Sequence, residues 1–419
     1  MAAGISNNRA MTKVTCITTV PTLTARQQIQ LKTLRETGFR VKVFCMDRIG
    51  MHARKEERNG IKFLRISPRN RKNMIKHHTQ CVSTLWGYSG DRGIKTKLSL
   101  LALWLKMLKE LACDEVDIIV CFHYVLLPLA VLVGAVKRAK IVYDISEFNI
   151  DSVQSWMPSW LGAASGFVDQ FEDICVRRVH GVTCVPDRNN SIFIRHYSNC
   201  KNIQVISNVP EISSKIDPAL HKELSDKFVN KYVVIYAGPF KLDRGMNHAL
   251  EAIKIVRDKY SDIKLVLIGS CVGDDTSEIE RYVADNFLEE NVDIVTFQPY
   301  ERLETYYACG DIGLNLRSSY GNYDKNLTIG NSRKNFDYLK AALAVVMPEV
   351  GEMGRLIKEE ECGVIVDVWD GGNVAKALLY LIENPSTTEA MKKRGHKAFL
   401  TKYNWDIEKK KLLEVYKRL

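Results

Sequence analysis

Residues 331–351, which read NSRKNFDYLKAALAVVMPEVG, combine groups that attract a phosphate with a carboxylate one helical turn away. A polar start with Asn331, Ser332 and Lys334 runs into apolar residues at helical spacing and then into a short apolar strand. A helix N-terminus and a lysine both attract anions, so this segment is typical of a phosphate site. If the phosphate belongs to a nucleotide, Asp337 is placed to reach the sugar hydroxyls.

A second candidate phosphate site lies in residues 233–251, VVIYAGPFKLDRGMNHALE. An apolar strand ends at Gly238, a short basic loop follows, and Gly245 opens a helix. Small residues let the backbone approach a ligand, and Lys241 and Arg244 supply positive charge. The segment matches neither a Walker loop nor GxGxxG, so a plain structural turn is the alternative.

These two segments belong to a chain that alternates short apolar runs with longer amphipathic stretches, which predicts parallel βαβ units. With 419 residues, 46% of them hydrophobic, the chain is long enough for two cores. The polar stretch 208–231 is the best linker. We therefore predict an α/β protein with an N-terminal domain (1–212), a C-terminal domain (213–400) and a C-terminal helix (401–419) that can pack back on the first domain.

Positive charge is concentrated in the first half of the chain. Residues 1–229 hold 33 Lys and Arg against 20 Asp and Glu, whereas residues 230–419 hold 27 against 29. Within the first half, residues 62–109 contain eleven basic side chains and one acidic side chain, Asp91. Such a segment suits an anionic membrane surface or a phosphate backbone, and a solvated basic face is the alternative.

Residues 95–111, KTKLSLLALWLKMLKEL, predict an amphipathic helix within this basic segment. This helix could lie on a membrane surface, pack on the N-terminal sheet, or do both.

The sequence shows no membrane-spanning or targeting segment. It contains no run of about 18 apolar residues, so no transmembrane helix is predicted, and its N-terminus lacks the apolar core of a signal peptide. The eleven cysteines form no CxxC pair, which favours buried reduced thiols and a cytoplasmic location.

Several of these segments together resemble the family-four nucleotide-sugar glycosyltransferases, over roughly residues 13–419. YAGPFKLDRGMNHALEAIK resembles that family's strand, glycine, basic loop and helix, and NSRKNFDYLKAALAVV resembles its "P-x-K-x-F-E-Y-M-A-A-G-x-P-V-V" element. NVDIVTFQPYERLETYYACGDIGLNL, GEMGRLIKEEECGVIVD and NWDIEKKKLLEVY follow in the family's order. In the first half, VDIIVCFHYVLLPLA, KIVYDISEFN and RRVHGVTCVPD are similar to further family motifs.

The resemblance implies a GT-B fold, in which two Rossmann-like domains face each other across a cleft and the C-terminal one binds the donor. It implies sugar transfer from a nucleoside diphosphate with retention of configuration, without a metal ion or other cofactor. Arg244 and Lys334 would then hold the diphosphate as it leaves. Asp337 would bind the ribose, and Gln298 and Tyr300 would lie near the base.

On the acceptor side, the resemblance places His123 across the cleft near the anomeric centre. Arg26 matches the arginine of a family branch with "D-P-R-V" at this place, and Asp144 and Glu147 match its "D-x-H-E" element. These three are acceptor-side candidates. For Arg26, a helix arginine that faces solvent is the alternative.

The sequence departs from the family pattern at several of these positions. The first of the family's two acids would fall at position 329, where this chain has Ile329. The contacts to the donor sugar therefore stay open. Asp324 could replace the missing acid only if the loop is shifted. The second acid is Asp337 in place of the usual glutamate. Pro239 stands where a basic residue is usual, and Ser146 stands where a histidine is usual.

We therefore expect a retaining glycosyltransferase that acts on a lipid-linked or otherwise anionic glycan in surface polysaccharide or glycolipid assembly. Its expected partners are a nucleotide sugar and an anionic membrane surface, at the inner face of the plasma membrane. A nucleotide-sugar epimerase of the same fold and a non-catalytic partner subunit are the alternatives. Nucleic acid is not expected, because basic runs interleaved with aromatic residues are absent.

Overall fold

The computed structural model describes most of the chain as two compact units. The described residues are 11–47, 50–67, 94–146, 172–186, 194–195, 197–198, 200–240, 245–269, 275–317, 332–367 and 370–419, with the backbone alone at 94–101 and 275–276. Unit 1 comprises Met1–Cys184, Phe193–Ile206 and Lys409–Leu419. Unit 2 comprises Val185–Ile192 and Ser207–Glu408. The functional domains 1–212, 213–400 and 401–419 stay a prediction.

Unit 1 is built on a largely parallel sheet. Its described strands are β1 (Lys13–Thr18), β2 (Arg40–Met46), β3 (Lys55–Arg58), β4 (Ile61–Ile66), β5 (Ile118–Cys121), β6 (Lys140–Ile145), β7 (Gly181–Cys184) and β8 (Ile203–Val205). They lie in the order β3-β4-β2-β1-β5-β6-β7-β8, and only β3 is antiparallel to its neighbour. β1 and β6 each carry five consecutive buried residues, as expected for strands covered on both faces.

The described helices of unit 1 include α1 (Ala25–Glu36), α2 (Ile94–Cys113) and α3 (Leu127–Lys137), which follows a 3₁₀ turn at Tyr124–Leu126. α1 begins with a capping box between Thr24 and Gln27. α2 contains the predicted helix 95–111 and buries Leu103, Met107 and Leu111, spaced four residues apart, against the sheet. The helix therefore packs on the N-terminal sheet, and its membrane contact stays a prediction.

Unit 2 is built on a parallel sheet. Its described strands are β9 (Tyr232–Ala237), β10 (Ile263–Ile268), β11 (Val292–Val295), β12 (Ile312–Leu314), β13 (Ala344–Met347) and β14 (Gly363–Ile365). They lie in the order β11-β10-β9-β12-β13-β14, with every neighbouring pair parallel. This is the strand order of a doubly wound Rossmann fold.

Helices cover the sheet of unit 2 and carry the chain to its end. They are α4 (Pro218–Lys227), α5 (Met246–Arg257), α6 (Asp275–Asp285), α7 (Tyr300–Ala308), α8 (Arg333–Lys340), α9 (Gly351–Glu359), α10 (Gly371–Glu383), α11 (Pro385–Lys402) and α12 (Trp405–Lys417). α5 buries Met246, Leu250 and Ile253 along one face and packs against α10. The predicted α/β class with two Rossmann-like domains is confirmed.

The last helix belongs to both units. At its start, the Trp405 amide donates to the carbonyl of Pro210 at 3.0 Å within unit 2. Near its end, the Val415 carbonyl accepts from Nδ2 of Asn202 at 3.0 Å, and the Tyr416 ring lies 5.7 Å from that of Phe39. The final residues are therefore part of unit 1.

The described cysteines behave as the sequence predicts. Nine of them are described, seven of these nine are buried, and none of the nine forms a disulfide. In the part of the chain that the structure describes, no helix is both long and apolar enough to cross a membrane.

Candidate functional site

The strand order of unit 2 identifies where a ligand is expected. The chain reverses its direction across the sheet between β9 and β12, and open parallel sheets bind ligands beyond the carboxyl ends of the strands at such a point. Gly238 follows β9 directly, and Leu316 lies just beyond β12. Because helices follow strands here, α5 and α8 start at the same edge.

Lys334 lies at the end of β9. Its Nζ is 4.1 Å from the ring centroid of Tyr236, the penultimate residue of that strand. A Cβ atom added at Gly238 would come within 3.1 Å of Nζ and 3.3 Å of the Tyr236 hydroxyl. That hydroxyl donates to the carbonyl of Pro239 at 3.0 Å, which fixes the ring. The glycine thus leaves room for the ammonium group, and the structure brings two predicted residues together.

Gly245 has a separate structural reason to be glycine. Its φ is +75°, in the left-handed region, and a Cβ atom there would lie 2.8 Å from Cβ of Leu316. The chain at the start of α5 therefore passes too close to Leu316 for a side chain to fit at this position. The predicted ligands Lys241 and Arg244, immediately before Gly245, lie outside the described residues.

Asp337 lies in a buried cluster with Tyr300 and Arg333. It is 5% exposed, and its Oδ1 accepts a hydrogen bond of 2.7 Å from the Tyr300 hydroxyl. Nε of Arg333 is 3.8 Å from the same oxygen, and the guanidinium group lies 4.4 Å from the centroid of the Tyr300 ring. Nε and Nη1 of Arg333 are buried and have no hydrogen-bond partner among the described residues.

The electrostatics of this cluster follow from its burial. Burial raises the pKa of Asp337 to about 6, against the opposing effects of the Arg333 charge and the Tyr300 hydrogen bond. Burial also raises the pKa of Tyr300, and the Asp337 charge adds to the effect. For Arg333, burial lowers the pKa, but the charges of Asp337, Tyr300 and Glu304 and the Tyr300 hydrogen bond together outweigh it, so the pKa is raised. Arg333 therefore stays cationic, while Asp337 titrates close to neutral pH.

An ion pair and two hydrogen bonds hold α7 and α8, the helices that carry this cluster. Lys340 and Glu304 form an ion pair with both side chains 7% exposed. Oε2 of Glu304 also accepts from the Lys215 amide at 2.8 Å, and Lys340 donates to the carbonyl of Ser213 at 2.7 Å. The pair thus fixes both helices to the segment that enters unit 2.

The remaining predicted donor residues are at the same edge or outside the described residues. Ser332 is the N-cap of α8, but its side chain makes no capping hydrogen bond. Nε2 of Gln298 donates to the carbonyl of Thr296 at 3.1 Å, just beyond β11. Asn331 is outside the described residues, as is Ile329, so the position of the missing acid is not described.

In unit 1, His123 follows β5 and begins the 3₁₀ turn that leads into α3. Its carbonyl accepts from Sγ of Cys121 at 3.2 Å and from the Leu126 amide at 3.0 Å. The order of strands in unit 1 also reverses between β1 and β5, so His123 lies at the carboxyl edge where that sheet would bind a ligand. Its catalytic role stays a prediction.

Arg26 and Asp144 form a buried pair at this edge. Arg26 is 5% exposed, so the solvent-facing alternative is wrong. Its Nη2 and Nε donate to Asp144 at 2.8 and 3.1 Å, and its Nη1 donates to the carbonyl of Ile206 at 2.8 Å. Burial alone would raise the pKa of Asp144, but Arg26 and the hydrogen bonds from Thr183 and Gln30 outweigh it and hold the pKa below its usual value.

These bonds give Arg26 and Asp144 a structural role within unit 1. Every nitrogen of the Arg26 guanidinium group donates to the protein. Their contact with an acceptor stays a prediction, and Glu147 lies outside the described residues. Sequence reasoning also missed Tyr236 and Arg333, although both lie within the predicted phosphate-site segments and each takes part in a contact between an aromatic ring and a cation.

Parts of the sequence are similar to known proteins. Residues 219–398 match the family model described as glycosyl transferases group 1. The chain is 23% identical over 206 residues to the capsular polysaccharide biosynthesis glycosyltransferase CapM of Staphylococcus aureus, covering 49% of this chain and 50% of CapM. It is 25% identical over 178 residues to the amylovoran biosynthesis glycosyltransferase AmsK of Erwinia amylovora, covering 42% of each. The matches thus span about half the length of these curated relatives or less.

The fold is also similar to solved structures over nearly the whole chain. The crystal structure of Anabaena HepE in complex with UDP and glucose has a TM-score of 0.68 at 13% identity, covering 97% of this chain and all of that one. At this level of identity the likeness shows the fold, and it confirms the predicted GT-B class. Residues 219–398 are thus similar to the glycosyl transferases group 1.

Proposed function

We propose that this protein is a retaining, metal-independent glycosyltransferase that uses a nucleoside diphosphate sugar as donor. Its acceptor is a lipid-linked or otherwise anionic glycan, in the assembly of a surface polysaccharide or glycolipid. The observation that carries the proposal is the position of the Lys334 ammonium group beside Gly238, at the end of β9. A cation at the switch point of a Rossmann sheet is suited to a diphosphate.

The chemistry needs positive charge where the leaving diphosphate gains negative charge. Lys334 supplies such a charge next to the N-terminus of α8, and Arg244 is expected to supply a second one. Asp337, ionised at neutral pH, accepts hydrogen bonds from the ribose, with Gln298 and Tyr300 near the base. Because protein cations stabilise the leaving group, the reaction requires no metal ion. His123 contacts the donor sugar near its anomeric carbon.

The class of pathway is inferred from the relatives. CapM and AmsK are both named for polysaccharide biosynthesis, and HepE was crystallised with UDP and with glucose. These names favour a glycan acceptor and make uridine nucleotides the first donors to test. The excess of positive charge in residues 1–229 supports an anionic or lipid-linked acceptor at the cytoplasmic membrane surface.

The donor site is tested by binding of UDP-, GDP- and ADP-sugars to the wild type and to Lys334→Gln, measured by thermal shift and calorimetry. Loss of one charge-assisted contact to a phosphate is expected to weaken binding by about 10- to 100-fold. Lys393→Gln is the matched control, because Lys393 is on the same unit with its side chain 76% exposed. It should bind like the wild type.

Turnover decides the rest of the proposal. With membrane lipid extract as acceptor, the protein should transfer the sugar even when a chelator removes metal ions. NMR of the product should show the same anomeric configuration as the donor. The proposal fails if no nucleotide sugar binds, or if Lys334→Gln binds as well as the wild type. An isomerised donor formed without acceptor would favour the epimerase.

A further inference from the structure

Helix α3 has an unusual composition for a helix at the surface of a protein. Residues 127–136 read LPLAVLVGAV and contain no polar side chain. A helix that is apolar all round is normally buried on every side. Here, Leu129, Ala130 and Val133 are buried against unit 1, whereas the opposite side faces solvent.

The solvent side of α3 is a continuous apolar stripe. Val125 is 44% exposed, Leu132 is 47% exposed and Val136 is 75% exposed. Their spacings of seven and four residues place them on one face of the helical turn and helix. Pro128 and Val131, which are partly exposed, lie between them. We call this stripe the α3 face.

The neighbouring helix also exposes apolar side chains. α2 packs against α3 and exposes Leu105 by 52%, together with Ala102 and Ala112. Single exposed apolar residues are ordinary, but an apolar stripe beside a second helix with exposed apolar side chains favours an interaction site.

The charges around the α3 face determine what it can bind. Exposed basic residues are at its end and on the neighbouring elements, namely Lys109, Lys137, Arg138 and Lys140. Of the nearby acidic side chains, Glu110 pairs with Arg54, Glu115 with Lys13 and Asp114 with Lys42, while the exposed Asp117 accepts a hydrogen bond from the Lys13 amide. The surroundings of the face are therefore positive.

We infer that the α3 face docks on a lipid bilayer that carries anionic headgroups. Apolar side chains enter the boundary between headgroups and acyl chains, while the basic side chains meet the phosphates. A second copy of the chain fits less well, because it would place the same positive charges against each other.

The inference rests on the proposed function, since a lipid-linked acceptor is presented at such a surface. His123 directly precedes the 3₁₀ turn that leads into α3, so the predicted catalytic histidine lies at one end of the docked stripe. Docking would thus bring the acceptor edge of unit 1 to the membrane.

The test is co-sedimentation of the full chain with vesicles of equal parts phosphatidylglycerol and phosphatidylcholine, and with vesicles of phosphatidylcholine alone. The wild type should bind the anionic vesicles, less strongly as salt rises. Val136→Asp should weaken this binding at least about tenfold, because it removes an inserted apolar side chain and adds a negative charge. Val229→Asp is the matched control, since Val229 is 61% exposed on unit 2.

A gain-of-binding variant guards against a folding defect. Val136→Trp should bind anionic vesicles more tightly than the wild type, because indole rings favour the bilayer interface. Failure of the wild type to bind them, or equal binding by Val136→Asp and Val229→Asp, would overturn the inference. So would sedimentation equilibrium showing a dimer that Val136→Asp dissociates. Vesicle binding without any nucleotide-sugar binding would refute only the proposed function.

Discussion

At the scale of residues, Asp337 departs most from the simple sequence expectation. The sequence predicts a carboxylate that reaches ribose hydroxyls. In the structure, however, Asp337 is nearly buried, and its Oδ1 already accepts a hydrogen bond from Tyr300 and forms an ion pair with Arg333. A ribose must therefore use the other oxygen or displace one of these neighbours. Arg333, whose Nε and Nη1 have no hydrogen-bond partner among the described residues, is the neighbour most able to change partners.

The titration of Asp337 predicts that donor binding at the proposed site depends on pH. Its pKa is raised to about 6 by burial, with Arg333, Tyr300 and Lys340 opposing the shift and Glu304 adding to it. If the ionised form accepts hydrogen bonds from ribose, as proposed, affinity for UDP-glucose should rise from about pH 5 to pH 7 and then level off. Calorimetry checks this with a nucleotide sugar, whose esterified phosphates do not titrate in the range.

Asp337→Asn should bind UDP-glucose more weakly and with no such slope. The same raised pKa also affects stability, since the folded state holds this proton more tightly than the unfolded chain. The contribution to stability is thus present below the ordinary carboxyl pKa and lost as pH rises through about 6. An unchanged slope in the asparagine variant would assign the pH dependence to another group.

At the scale of elements, the relative position of α7 and α8 determines whether Tyr300 meets Asp337. The buried pair of Glu304 and Lys340 joins these helices and binds both to residues 213–215. Such a pair adds little net stability compared with apolar residues, but removing one partner leaves a buried charge.

Lys340→Met should therefore lower the free energy of unfolding by about 3–5 kcal/mol, because Glu304 would remain buried without its cation. Urea denaturation followed by circular dichroism measures the change. The double variant Lys340→Met with Glu304→Leu should recover most of the loss. If the double variant is no more stable than the single one, the helices are held by other contacts.

At the scale of the whole molecule, the chain ends in unit 1 although the residues just before belong to unit 2. Leu412 in α12 is 1% exposed, and Val415 and Tyr416 contact residues of unit 1. The end of the last helix thus contributes to the core of a unit whose other residues end at Ile206.

Leu412→Ala should accordingly destabilise unit 1 by about 2–5 kcal/mol, as for a leucine removed from a packed core. Hydrogen exchange should become faster in β7 and β8, while the strands of unit 2 keep their protection. Leu400→Ala, at a leucine 41% exposed on α11, is the control. Faster exchange in β9–β14 instead would place the packing of α12 on the other unit.

Much of the fold can be predicted from the local sequence pattern, because parallel strands that are covered on both faces have short, mostly apolar sequences. β2, β4 and β13 coincide with such runs, as in Ala344–Met347. β3, with the sequence KEER, has no such apolar pattern. It is an edge strand, and its pairing with the backbone of β4 places it in the sheet.

The sequence by itself determined the fold class of the protein and the position of its candidate phosphate-binding segments, since glycine, lysine and helix starts act through local geometry. Only the tertiary structure decided which groups share a site. It placed Lys334 beside Gly238, almost a hundred residues earlier in the chain, and it joined Asp337 to Tyr300 and Arg26 to Asp144. Those contacts depend on strand order and helix packing, which no single segment encodes. The same holds for α3, whose apolar sequence predicts burial and whose exposed side only the packed unit reveals.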